Sequence, residues 1–213
     1  MTGADQAITP IATADPVLGD FIRRAGPLGH RSGSGGHFAA LGRSIVFQQL
    51  AGPAAAAIHG RLVAAVGGVV TPESILEAEP EALRAAGLSA SKAAALVDLA
   101  AKAADGTVPL DGIETLDDEG IIARLSTVRG IGRWTAEMFL LFELGRPDVW
   151  PVDDYGVRNG WSLIHGLPST ISPKALLLAG EPFRPHRSTV ALYCWHAVHV
   201  SRGQAALTDA GAA

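Results

Sequence analysis

The stretch Leu125–Tyr155, LSTVRGIGRWTAEMFLLFELGRPDVWPVDDY, constrains this chain more than any other. A tight turn, Val128-Arg129-Gly130-Ile131-Gly132, follows an apolar helical segment, and a second helical segment starts at Arg133 and runs to about Leu144. Two helices joined by a Gly-x-Gly turn make a helix-hairpin-helix, here over 125–137. Its glycines let the backbone take positive φ and come close to a partner. The orphan N–H groups at the start of the second helix point outward, where they suit a phosphate. A short connection then delivers two carboxylates, Asp153 and Asp154, just ahead of another helical pattern.

The rest of the chain is also helical in pattern. Phe38, Leu41, Ile45 and Val46 recur at helical spacing in 37–49. Asp15-Pro16, Thr71-Pro72 and Ser172-Pro173 each pair a capping side chain with a proline at the first helical position. Gly26, Gly67-Gly68 and Gly87 mark helix ends. Residues 1–14 read as a loose arm, and 29–36 (GHRSGSGG) as a flexible link. No strand pattern is longer than Gly68–Thr71. The expected fold is all-α, with about ten helices in short-loop succession.

Composition excludes several classes. The 213 residues allow one or two domains, and a 48% hydrophobic chain is globular rather than disordered. No apolar stretch is long enough to span a bilayer, and no basic start precedes an apolar run, so the expectation is a cytoplasmic protein (bacterial nucleoid, or nucleus in a eukaryote) with no membrane partner. A single cysteine, Cys194, rules out a disulfide framework, a Cys-ligated iron–sulfur cluster and a structural zinc site. His196 and His199 are three apart but lack a third ligand. The net charge of −4 argues mildly against nucleic acid, yet Arg23, Arg24, Arg43, Arg129 and Arg133 lie in or beside the segments discussed here.

With the carboxylate pair behind it, the hairpin supports a specific resemblance. VRGIGRWTAEMFLLFELGRPDVWPVDDY resembles the helix-hairpin-helix and Gly-Pro-Asp loop of the DNA glycosylase superfamily, and within it the 3-methyladenine DNA glycosylase II branch. SIVFQQLAGPAAAAI (Ser44–Ile58), GLSASKAAAL (Gly87–Leu96) and PHRSTVALYCW (Pro185–Trp195) resemble further helices of that family, so the likeness covers about 36–200.

The resemblance implies two helical lobes with an active-site cleft between them. One is 36–145, containing the hairpin; the other combines 1–35 with 146–213 and carries the catalytic aspartate. It implies double-stranded DNA containing damaged bases as the partner, a monomer, and hydrolysis of the N-glycosidic bond of an alkylated base. The physics agrees. A base inside a duplex must be flipped out to be reached. Breaking its bond builds oxocarbenium character, which carboxylates stabilise. Alkylated purines already carry positive charge, and a cationic base on an indole gains about 0.5–2 kcal/mol.

Residue roles follow from the same resemblance. Trp195 matches the base-stacking tryptophan, while Trp134 and Met138 fall at pocket positions. Trp134 stands where bifunctional relatives carry a Schiff-base lysine, and no lysine lies between Lys102 and Lys174, which argues against lyase chemistry. Trp150 and Trp161 read as core. Gln49 matches the wedge that fills the gap left by a flipped base; Gln48 beside it could hydrogen-bond within the core. Arg129, Gly130, Ile131, Gly132, Arg133 and Thr135 make up the expected DNA-binding surface of the hairpin. The carbonyls of Ser126, Val128 and Gly130 could hold a sodium or potassium ion, and no other cofactor is required. Trp134 to Asp154 is twenty residues, the family's interval to its catalytic aspartate. Asp154 is therefore assigned to catalysis, and Asp153 to capping or backbone support. Two alternatives remain at this point: a glycosylase for oxidised or deaminated bases, and a non-catalytic DNA-binding module.

Overall fold

The computed structural model describes residues 3–28 and 36–203. The flexible link and the tail after Gly203 lie outside the described residues, which contain no strand. Twelve α-helices follow one another: α1 Gly3–Ala14, α2 Pro16–Ala25, α3 His37–Phe47, α4 Gly52–Ala65, α5 Pro72–Glu77, α6 Pro80–Ala85, α7 Ala90–Ala104, α8 Asp118–Leu125, α9 Arg133–Met138, α10 Tyr155–Ile164, α11 Pro173–Ala179 and α12 Arg187–Ser201. The expected all-α fold is what forms.

The chain divides into two compact units. One comprises the described residues 3–28 and 145–203; the other is 36–144. In the first, α10 and α12 are the central pair. A Cβ on Gly160 would sit 1.9 Å from the Cys194 carbonyl oxygen, so only glycine lets the two backbones approach this closely. Leu18, Val157, Leu176, Val190 and Cys194 fill the core beside them. The start of α12 is fixed by the buried Arg187, whose guanidinium donates to both carboxylate oxygens of Asp148 at 2.8 and 2.9 Å.

Residues 1–14, read as a loose arm, contain a helix instead. Ala7 and Ile11 are buried and α1 packs on α2, where a Cβ on Gly19 would lie 2.7 Å from Ala12 Cβ. Burial of that apolar face outweighs the cost of Pro10 inside the helix and of its threonines.

In the second unit α7 runs through the middle, packed on α3 and α5. Leu41, Ile45, Leu62, Leu96, Leu99, Ile121, Leu125 and Leu140 form its core. The helix that begins at Arg133 widens into a π turn over Phe139–Glu143, with the Leu144 N–H donating to the Phe139 carbonyl. The sequence pattern, read as one continuous helix, does not reveal this turn.

Candidate active site

In the first unit the site forms at the start of α10. Asp154 is the N-cap: its Oδ1 accepts the Val157 N–H at 2.7 Å. The same oxygen accepts Trp195 Nε1–H from α12 at 2.9 Å. Gly156 makes room for this arrangement, because a Cβ there would lie 2.7 Å from Trp195 Cδ1 and 3.0 Å from Asp154 Oδ1. Asp154 and Trp195, forty-one residues apart, are thus joined directly. The positive end of α10 favours a negative charge at its cap. The capping assignment needs correction: Asp153 is exposed, and Asp154 itself is the cap. The helix starts at Tyr155, and an N-cap side chain reaches the first-turn N–H groups from the position immediately before it.

The neighbouring groups are structural. Burial, reinforced by the Asp154 charge, pushes the Cys194 thiol far above the usual range, so it stays protonated. Trp150 and Trp161 are buried and pack edge to face at 6.2 Å, core residues as expected.

In the second unit the hairpin turn is held from α7. Gly130 has φ +78°, and a Cβ there would meet Ala95 Cβ at 3.2 Å. Gly132 has φ −97° and ψ 177°, an extended conformation open to any residue, so the positive φ expected of two glycines belongs to Gly130 alone. Asp98 Oδ2 accepts the Arg129 N–H at 2.7 Å and Lys102 Nζ at 2.8 Å, and Lys102 also donates to the Thr127 carbonyl at 2.6 Å. Those two hydrogen bonds hold the Asp98 carboxyl below its usual range.

Several expected DNA contacts change character. The Ile131 side chain is buried and its N–H donates to Val128 O at 3.1 Å, so it braces the turn. Thr135 is buried and accepts Gln48 Nε2 at 3.2 Å, rather than facing outward. Its outward role is lost because the second position after the hairpin's Arg133 falls on the inner face of α9. The Arg129 N–H is already taken by Asp98, while its side chain is exposed. Arg133 forms a two-pronged pair with Glu119, at 3.0 and 2.6 Å, so its charge is shared with that carboxylate. Gly132 caps α9 without a side-chain oxygen, while its carbonyl accepts the Ala136 N–H at 3.1 Å.

Trp134 is 46% exposed, an unusual place for a large aromatic, and Met138 one turn on is half-buried. Gln49 is exposed in the turn after α3 and has φ +58°, a left-handed conformation rare outside glycine. Gln48 points the other way, and its Nε2 also donates to the Gly130 carbonyl at 2.9 Å. A concavity of about 410 Å³ lies between this turn and α7, lined by Gln48, Gln49, Leu50, Ser91, Lys92 and Gly130. A larger hollow of about 560 Å³, lined by Ile75, Leu83, Ala94 and Val97, contains none of the candidate residues.

Two of the three carbonyls expected to hold sodium or potassium also accept hydrogen bonds, Gly130 O from Gln48 Nε2 and Val128 O from the Ile131 N–H. Each carbonyl oxygen keeps a second lone pair. Among the described residues no group of three or more His, Cys, Asp or Glu could hold a metal ion, and no helix is long and apolar enough to cross a membrane.

The sequence reading missed Lys92, Asp98, Lys102, Glu119 and Gly156. Only the glycines inside α10 carried a local signal, since a helix-interior glycine costs stability unless a neighbour needs the space.

Comparison with known proteins places this geometry. A chain 39% identical over 156 residues is DNA-3-methyladenine glycosylase 1 of Schizosaccharomyces pombe, with 72% of this chain and 68% of that one covered. Among solved structures, the S. pombe 3-methyladenine DNA glycosylase in complex with abasic DNA superposes with a TM-score of 0.82 at 33% identity, covering 92% of this chain and 97% of that one. A DNA-3-methyladenine glycosidase from Bacillus halodurans superposes with a TM-score of 0.83, also at 33% identity, covering 93% and 92%. The model of the HhH-GPD superfamily base excision DNA repair proteins matches residues 43–185. The chain belongs to the HhH-GPD superfamily of base excision DNA repair proteins.

Proposed function

We propose that this protein is a monofunctional DNA glycosylase that hydrolyses the N-glycosidic bond of alkylated bases, of the 3-methyladenine type, in duplex DNA. The observation that supports it most is Asp154, a carboxylate fixed by two hydrogen bonds at the positive end of α10, one of them from the indole of Trp195. The relatives named for 3-methyladenine, one of them seen on abasic DNA, point the same way.

In this reading the hairpin and the exposed Arg129 hold the DNA backbone, with Arg133 exchanging Glu119 for a phosphate. Gln49 enters the stack where the lesion leaves it. The indole of Trp195 receives the flipped base. The C1′–N bond breaks with both electrons going to the base, which departs neutral because alkylation had made it cationic. Asp154 stabilises the positive sugar and orients a water. That water adds to C1′ and gives up a proton through Asp154 to solvent, leaving an abasic site. No lysine is placed to form a Schiff base, so the strand stays intact. The compartment is the one that holds DNA. A bound sodium or potassium ion has no part in these steps.

The test is release of free 3-methyladenine from methylated duplex DNA by the purified protein. Release without strand cleavage supports the reading. Binding without release would instead indicate a DNA-binding module.

A further inference from the structure

Both DNA-facing turns of the second unit are fastened to one stripe of α7. Lys92, Ala95, Asp98 and Lys102 are spaced by three, three and four residues, which puts them on a common helix face. Lys92 Nζ donates to the Val46 carbonyl at 2.6 Å and to the Gln48 carbonyl at 2.8 Å. Those are the last-turn carbonyl of α3 and the one immediately before Gln49. A helix leaves its final carbonyls without backbone partners, and a lysine ammonium can satisfy them while complementing the negative helix end. Lys92 is half-buried, and burial pulls its pKa below the ordinary lysine value.

Further along the stripe, Ala95 sits beneath Gly130, Asp98 holds the Arg129 N–H, and Lys102 holds the Thr127 carbonyl. Gln48 closes the frame by bonding the wedge turn to the Gly130 carbonyl. Two exposed turns from distant parts of the chain are therefore set by one rigid element.

We propose that Lys92 is the positioning residue for the wedge, and the Asp98–Lys102 pair the positioning element for the hairpin, so that α7 sets the register between flipping and grip. The proposal deepens the glycosylase reading and rests on it. Gln49 at φ +58° is a conformation that surrounding structure must enforce. The two carbonyl bonds from Lys92 fix the backbone immediately before that residue and supply the constraint. The hairpin clamp differs in consequence, because it controls a surface that meets DNA whether or not a base is damaged.

The test separates the two arms. Lys92→Met should slow single-turnover excision of a paired lesion by roughly tenfold, a loss of the size that small misplacements produce. It should cost much less when the lesion faces a mismatch, and leave affinity for undamaged duplex unchanged. Lys102→Met should weaken binding to damaged and undamaged duplex alike, with little change in the saturated rate. Lys92→Arg and Lys102→Arg should restore most of each property. In a Gln49→Ala background, Lys92→Met should add nothing further, because both act on one step.

A 2-aminopurine placed beside the lesion reports flipping without any excision. If the wild-type protein releases no base at all, the glycosylase reading fails, and fluorescence and duplex affinity still judge α7. Equal losses on paired and mismatched lesions, additivity with Gln49→Ala, or unchanged duplex affinity in Lys102→Met would overturn the proposal. Should Lys92→Met fail to fold, the additivity test is run with Lys92→Gln.

Discussion

Trp195 Nε1 donates a hydrogen bond to Asp154 Oδ1 at 2.9 Å, joining the middle of the last helix to the cap of α10. The bond gives the indole one task, an N–H for the carboxylate, and the proposed function gives it a second, a face for a base. The substitutions that remove them differ. Trp195→Phe keeps a ring and loses the donor. Hydrogen bonds to charged groups contribute about 1.5–3 kcal/mol, so excision should fall by roughly ten- to a hundredfold for cationic and neutral lesions alike. Trp195→Ala should cost cationic 7-methylguanine more than neutral hypoxanthine, because only the former loses a cation–π contribution of about 0.5–2 kcal/mol. Rates on single-lesion duplexes check both, and identical losses for the two lesions in Trp195→Ala would leave packing and the Asp154 hydrogen bond as the tryptophan's roles, with no stacking on the base.

The two hairpin glycines should respond differently to valine. Gly130→Val forces a β-branched residue to φ +78° against Ala95, and should lower stability by about 1–3 kcal/mol as well as weaken DNA binding. Gly132→Val meets nothing within 4 Å and needs no unusual φ, so its melting temperature should stay near wild type. Any loss of affinity there reports the DNA approach itself. Thermal melts beside duplex titrations separate the cases.

On the proposed reading Glu119 competes with the DNA backbone for Arg133, which Glu137 Oε1 also approaches at 3.7 Å. Glu119→Gln should release the guanidinium and raise affinity for any duplex severalfold at low salt. The salt dependence should steepen by about 0.9 in the slope of log K against log[salt], the signature of one additional phosphate contact. An unchanged slope would mean that Arg133 does not reach the backbone.

Asp98 predicts a pH dependence of known sign. The Arg129 N–H and the Lys102 ammonium lower its folded pKa. Its stabilising contribution is therefore fully present above its unfolded value of about 3.9, and disappears as pH falls through the lower folded value. Asp98→Asn should melt below wild type at pH 7, and the gap should close on acidification below pH ~3.9. A gap that persists in acid would assign the loss to shape rather than charge.

Much of this molecule is legible in its sequence. Caps at Asp15, Thr71 and Ser172 hold the first-turn N–H groups that their side chains suggest. The hairpin is marked by its glycines, and the core tryptophans are marked as well. The misses share a physical cause. The fastening of Arg129 by Asp98 spans thirty-one residues, and that of Val46 by Lys92 spans forty-six, distances over which no periodicity carries information. The α1 helix depends on burying Ala7 and Ile11 against a neighbour rather than on its own propensity. The exchange of capping from Asp153 to Asp154 is a one-residue shift in a helix start, within the margin that terminal positions always carry.

The central claim is that Asp154 is the carboxylate at the reacting sugar, and two isosteric substitutions test it most directly. Asparagine caps a helix about as well as aspartate, so Asp154→Asn and Asp153→Asn should both fold and melt within about 1 kcal/mol of wild type. Single-turnover excision of 3-methyladenine from duplex DNA should nearly vanish in Asp154→Asn while lesion DNA still binds, and should stay close to wild type in Asp153→Asn. A fully active Asp154→Asn, or an inactive Asp153→Asn beside it, would contradict the account.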